Sequence, residues 1–304
     1  AYGEENGKPV LIENSSINLG LAMDLVKADG SRTLVVPAIK GCEQLNFAQW
    51  LAAYEEVVKK GRNGTLTVDD FAGVTASLTN PGGLGTNHSV PRLMNGQGVI
   101  LGVGSIDYPP EFQGTSESRI NEMGISKITT LTSTYDHRVI QGAQSGEFLR
   151  TMHQLLLGAN GFYDQIFEAL RIPYPPLKWD TDVSAHRTSQ VSKEARVVEL
   201  IQAYRQLGHL VADVDPLEYH QRTHSDLELE AHGLTIWDLD RQFAVGTFGG
   251  QPRVYMTLRE ILDTLRDSYC HTMGIEYMHI TDREQRDWFQ DKFEKAHTPL
   301  PREE

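Results

Sequence analysis

The chain has 304 residues, with 41 acidic against 28 basic side chains and a formal net charge of −13. That balance argues against a nucleic-acid backbone or an anionic membrane surface as the main partner, because like charges repel. A hydrophobic content of 39% and a charged content of 23% suit a soluble globular protein, and the length suits about two domains. Two cysteines, Cys42 and Cys270, are too few and too far apart for a disulfide framework or a zinc site. They are expected as reduced thiols of a cytoplasmic protein. No apolar run approaches the ~18 residues of a membrane span, and Ala1–Lys8 lacks the basic and apolar regions of a signal peptide.

The chain opens with a mixture of strands and helices over residues 8–160. Strands are expected at Pro9–Ile12, Asn18–Leu25, Thr33–Ile39, Val74–Thr79, Val99–Ile106 and Ile128–Thr134, all rich in Val, Ile, Leu and Thr. Phe47, Trp50, Leu51, Tyr54, Val57 and Val58 recur at helical spacing, with Gly61 as the expected stop. A second helix is expected from about Ser145 to Leu157, with Phe148, Leu149, Met152, Leu155 and Leu156 on one side. Pro173, Pro175 and Pro176 then break the pattern, and Thr181–Lys193 is polar, so 171–193 reads as an extended linker. Residues 194–294 read as mostly helical, with apolar spacing at Val197, Val198, Ile201 and Tyr204 and again at Leu258, Ile261, Leu262 and Leu265.

The most informative stretch is Thr134-Tyr-Asp-His-Arg-Val-Ile-Gln-Gly-Ala143. It puts a histidine between a strand end and a helix start, a rigid setting useful for a general base. Tyr-Asp-His-Arg-Val-Ile-x-Gly-Ala resembles the active-site signature of the dihydrolipoamide acyltransferase components of 2-oxoacid dehydrogenase complexes. The same signature, more loosely, marks chloramphenicol acetyltransferase. Ile17–Asp24, Thr33–Lys40, Leu66–Gly73 with Ser77–Gly83, and Gly98–Gly104 resemble further segments of that catalytic domain, in order.

The resemblance implies an α/β fold: a chloramphenicol-acetyltransferase-like acyltransferase domain with a mixed sheet and flanking helices, followed by a mainly helical region. It implies His137 as general base and Thr79 as donor to the oxyanion. Asn80, Gly82 and Gly83 would shape the substrate channel. Coenzyme A would be the acyl acceptor. The family pattern places aspartate four residues after the histidine, where this chain has Gln141. Glutamine keeps hydrogen-bonding ability but loses the charge. Two readings stay open: Gln141 is a neutral orienter of an active transferase, or the domain is an acyltransferase-like scaffold that trimerises and docks partners.

The glutamine form of the motif, and a second half containing Ala195–His209, Ala212–Leu217, His232–Asp240 and Gly274–Ile280, resemble the fused actinobacterial 2-oxoglutarate dehydrogenases, also called decarboxylases. There a succinyltransferase domain precedes the thiamine-dependent component. That resemblance implies residues 1–170 as the succinyltransferase-like domain, 171–193 as the linker and 194–304 as the start of the dehydrogenase component. Thiamine diphosphate and magnesium are expected only beyond residue 304, since no Gly-Asp-Gly with a following Asn-Asn is present. The lipoyl group would come from a lipoyl-bearing acyltransferase, with dihydrolipoamide dehydrogenase as a further partner. The family assembles as trimers, with the histidine and the hydroxyl contributed by different subunits. A chloramphenicol-type acetyltransferase is disfavoured by the second half. His209 with Asp213 and Asp215, and Cys270 with His271, are weak candidates for metal or nucleophile sites, and no metal is expected.

Overall fold

The computed structural model describes residues 1–26, 30–181, 190–217, 219–246, 248–249 and 255–295. Part of the expected linker, 182–189, and the end of the chain, 296–304, lie outside the described residues. The chain divides into two compact units. One is Ala1–Pro110 with Lys127–Ala169, and the other is Glu111–Ser126 with Leu170–Glu304. Residues 111–126 group with the second unit. Those residues are held inside the second unit: Arg241 donates to the Glu122 carbonyl at 2.8 Å, and Gly124 lies against the Trp237 backbone.

The first unit is built on a six-stranded mixed sheet. Its strands are β3 (Leu19–Val26), β4 (Arg32–Val35), β5 (Ala38–Ile39), β6 (Ala76–Thr79), β7 (Val99–Val103) and β8 (Leu131–Tyr135), in the order β4-β3-β6-β7-β8, with β5 also on β3. The β3-β6-β7 run is parallel, and β4, β5 and β8 are antiparallel to their neighbours. The expected strand over 33–39 is two strands. Pro37 interrupts it, because proline has no N–H to give the ladder. A separate hairpin, β1 (Tyr2–Glu5) with β2 (Lys8–Leu11), turns at Asn6-Gly7, both with positive φ. That turn suits the twist of a two-residue hairpin.

Helix α1 (Phe47–Asn63) starts at a capping box in which Asn46 and Gln49 each accept from the other's backbone N–H, at 2.9 and 3.0 Å. The helix does not stop at Gly61. It ends at Gly64, which is left-handed, while Gly61 is buried against the Met23 side chain. Leu21, Ile39 and Val57 form the core between α1 and the sheet, with Trp50 and Leu78 packed against them. α3 (Gly142–Leu156) begins three residues earlier than expected, and Phe148 and Leu156 remain exposed on it. A short helix over Phe162–Ala169 (α4) closes the unit.

The second unit carries α2 (Glu117–Met123), α5 (Gln190–Leu207), α6 (Leu258–Tyr269) and α7 (Arg283–Phe293). The expected all-helical run over 194–294 is interrupted. Between α5 and α6 the chain makes short 3-10 turns and a hairpin, β9 (Gln242–Ala244) with β10 (Tyr255–Thr257). Val197, Leu200, Ile201 and Tyr204 of α5 meet Leu258, Ile261, Leu262 and Leu265 of α6 in a single core. Val198 lies off that stripe, 48% exposed. Glu294 is 1% exposed and is paired by Arg205 in a fork of 2.6 and 2.7 Å, with Tyr269 donating at 2.9 Å. No helix among the described residues is long and apolar enough to cross a membrane.

Candidate active site

Strand β8 ends at Tyr135, and the chain turns at once. Asp136 N–H donates to the Gly98 carbonyl, and the Asp136 carbonyl accepts from Val139 and Ile140. This turn presents His137 and Arg138 to solvent and leads into α3. Arg138 clamps Asp136, with Nε–Oδ1 at 2.9 Å and Nη2–Oδ2 at 2.7 Å, while its backbone N–H donates to Oδ1. Hydrogen bonds from Arg138 hold the Asp136 carboxyl down at about 2. His137 therefore stands between two side chains that already satisfy each other. Its ring lies 5.6 Å from the Tyr135 ring, tilted by 45°.

His137 opens onto a cavity of about 1050 Å³. The walls come from Tyr2, Leu34 and Val36, from the loop Arg92–Gln97, and from Tyr135–Arg138. Gln97 is 5% exposed and accepts from the buried Ser77 hydroxyl at 2.8 Å, which anchors that loop to the sheet. The N-terminal hairpin also reaches the site: the Arg138 guanidinium lies 3.7 Å from the centroid of the Tyr2 ring.

Thr79 is elsewhere. It ends β6, level with Gly102 of β7 and so with Thr132 of β8, whereas Tyr135 is level with Val99 and Ala76 at the other end of the ladder. At ~3.3 Å per residue the three steps from Thr132 to Tyr135 alone separate these levels by ~10 Å, and His137 lies further along. Within one chain the sheet thus puts the two expected catalytic groups at opposite ends. Beyond Thr79, Asn80 Oδ1 accepts from Gly82 N–H at 3.1 Å and caps the turn Pro81–Leu84. Gly82 packs on the Gly104 carbonyl so closely that a Cβ would lie 2.3 Å from it, while Gly83 faces open space. Gln141 is the N-cap of α3. Its backbone N–H donates to Gln144 Oε1 at 2.8 Å, and the residue is exposed.

The model of the 2-oxoacid dehydrogenase acyltransferase catalytic domain matches residues 2–162. The chain belongs to this family. The match spans the hairpin, the mixed sheet and α3, and so every residue discussed at the site. The 2-oxoglutarate dehydrogenase E1/E2 component of Corynebacterium glutamicum is 56% identical over 99% of this chain. The multifunctional 2-oxoglutarate metabolism enzyme of Mycolicibacterium vanbaalenii is 55% identical over 97% of it. The chain spans about a quarter of these relatives, 24% of each. A crystallised dihydrolipoamide acetyltransferase of Azotobacter vinelandii is 26% identical, with 55% of this chain and 61% of that one covered at a TM-score of 0.40.

Cys270 is 1% exposed, and burial pushes its thiol up to about 12, far from a thiolate at neutral pH. His271 pairs with Asp267 at 3.3 Å, and His209 lies 4.0 Å from Glu276. Among the described residues no group of three or more His, Cys, Asp or Glu side chains could hold a metal ion. Sequence reasoning missed Tyr2, Arg92 and Gln97, which reach the histidine's cavity from segments distant in the chain and bear no motif of their own.

Proposed function

We propose that residues 2–162 transfer a succinyl group from succinyl-dihydrolipoamide to coenzyme A. His137 takes the proton of the coenzyme A thiol as the sulfur attacks the thioester carbonyl. The tetrahedral oxyanion receives a hydrogen bond from the Thr79 hydroxyl. Collapse breaks the bond to the dihydrolipoamide sulfur, which leaves with the proton from His137. A positioned base contributes on the order of 10²–10⁴ in rate, and an oxyanion donor roughly 10²–10³.

The observation that carries this reading is the separation of His137 and Thr79 at opposite ends of one sheet. A single chain cannot supply both groups to one carbonyl, so the site is completed by a neighbouring copy. A three-fold ring with head-to-tail contacts satisfies every such interface, and Phe148 and Leu156, exposed on α3, suit burial in it. The lipoyl group arrives on a separate acyltransferase, and dihydrolipoamide dehydrogenase reoxidises it. No step proposed here uses thiamine diphosphate. That chemistry belongs, in this proposal, to other parts of a longer polypeptide. A cytoplasmic setting is part of the same proposal.

The test mixes His137→Ala and Thr79→Ala proteins, each inactive alone, under conditions that exchange subunits. Recovery of part of the wild-type rate of succinyl-coenzyme A formation is expected, with a trimeric mass by light scattering. A monomer at micromolar concentration, or no recovery after proven exchange, overturns the shared site. A folded His137→Ala protein with an unchanged rate overturns the chemistry.

A further inference from the structure

The charges lining the His137 cavity do not cancel. Asp136 and Arg138 neutralise each other through their fork. Arg92, in the same wall, makes no hydrogen bond or ion pair with any described residue. The cavity thus holds one uncompensated guanidinium in a chain whose net charge is −13.

Arg92 is not on a wandering loop. The Thr132 hydroxyl donates to the Ser89 carbonyl at 2.9 Å on one side of it. On the other, Gln97 is buried against Ser77, and its N–H donates to the Met94 carbonyl at 3.2 Å. The guanidinium is therefore presented from a loop pinned at both ends to the sheet that carries the histidine.

Both reactants of the proposed transfer carry an oxyanion remote from the reacting sulfur. The succinyl chain ends in a carboxylate, and coenzyme A carries phosphates. A planar guanidinium forks onto either geometry, and such charge-assisted bonds are among the stronger ones. An uncompensated cation in a cavity wall also draws an anion toward that cavity. We infer that Arg92 binds the remote oxyanion of one of the two reactants and so sets substrate selectivity. The inference rests on the reading of residues 2–162 as a succinyltransferase.

The experiment compares the full chain with Arg92→Gln and Arg92→Lys. Transfer is measured from succinyl- and butyryl-dihydrolipoamide to coenzyme A, and from succinyl-dihydrolipoamide to coenzyme A and to pantetheine, which lacks phosphate. Binding of each reactant alone is measured by calorimetry, which needs no turnover. A hydrogen bond to a charged group is worth ~1.5–3 kcal/mol, so one selectivity ratio should fall ~10- to 100-fold in Arg92→Gln. A fall in the succinyl-to-butyryl ratio assigns Arg92 to the acyl carboxylate. A fall in the coenzyme A-to-pantetheine ratio assigns it to a phosphate. Either should appear mainly in KM and be partly restored by Arg92→Lys. Unchanged ratios in both transfer and binding overturn the inference and leave the transferase reading standing. Charge-selective binding by a wild-type chain that transfers nothing would uphold Arg92 and overturn the transferase reading.

Discussion

The Arg138 guanidinium is sandwiched functionally between a carboxylate and a ring: Asp136 grips its edge at 2.7–2.9 Å, and the Tyr2 ring faces it at 3.7 Å. Tyr2 comes from the hairpin and Arg138 from the turn after β8, so the contact ties the start of the chain to the turn that carries His137. Tyr2→Ala should therefore disturb the turn that holds His137, through lost cation–π contact. The expected result is a several-fold fall in kcat, with Tyr2→Phe near the wild-type value. Equal rates for all three proteins would show that the hairpin has no influence on the histidine.

The Asp136–Arg138 pair also makes an acid prediction. The folded Asp136 carboxyl titrates at about 2, below its ordinary 3.8. A carboxyl depressed on folding adds stability above its unfolded value and loses it as pH falls through the folded one. Wild-type protein should thus be more stable than Asp136→Asn above pH ~4, with the gap closing between about pH 4 and pH 2. Denaturant midpoints across that range check this. A gap that widens on acidification would contradict the pairing.

Gln141 makes a third. Glutamine is a poor N-cap, and aspartate there would accept from the first-turn N–H groups and favour the positive end of α3. Gln141→Asp should raise stability by ~0.5–1 kcal/mol while transfer is kept or increased, and Gln141→Ala should lower transfer. Thermal melts and initial rates on the same samples decide it. A more stable Gln141→Asp protein with a lower rate would mean that the neutral amide itself serves the reaction.

The second unit is most vulnerable at Glu294, buried at 1% exposure with Arg205. Removing one partner of a buried pair strands the other charge, at ~3–5 kcal/mol. Glu294→Ala should lose about that much in denaturant unfolding, and the double change Arg205→Met with Glu294→Leu should recover most of it. Additive losses in the double variant would argue against a coupled pair.

Much of this arrangement was legible in the residues. The strands of the sheet announce themselves as β-branched runs, and α1 as a periodic stripe, because both bury one face. The histidine turn is legible because motif and junction coincide. Pro37 marks the break within 33–39, and Gly61, placed like a helix stop after Lys59-Lys60, instead serves by its smallness the contact with Met23. The placement of 111–126 was not legible, since its contacts, such as that of Arg241 with the Glu122 carbonyl, join residues over a hundred positions apart. Tyr2 and Arg92 escaped for the same reason: a cavity gathers its walls by topology, and periodicity records only neighbours along the chain.

The paired glycines at 82 and 104 set a rule for anyone who would reshape this protein. A side chain at Gly82 would run into the Gly104 carbonyl, and one at Gly104 into the Asn87 carbonyl at 2.1 Å. Backbone stands against backbone there, with nothing soft to yield. A mutagenesis library over the loop 80–85 can vary Gly83, which faces open space, and Leu84, which is 74% exposed. Randomising 82 or 104 alongside them would fill it with misshapen members, and a screen for new acyl donors would then report the damage rather than the chemistry.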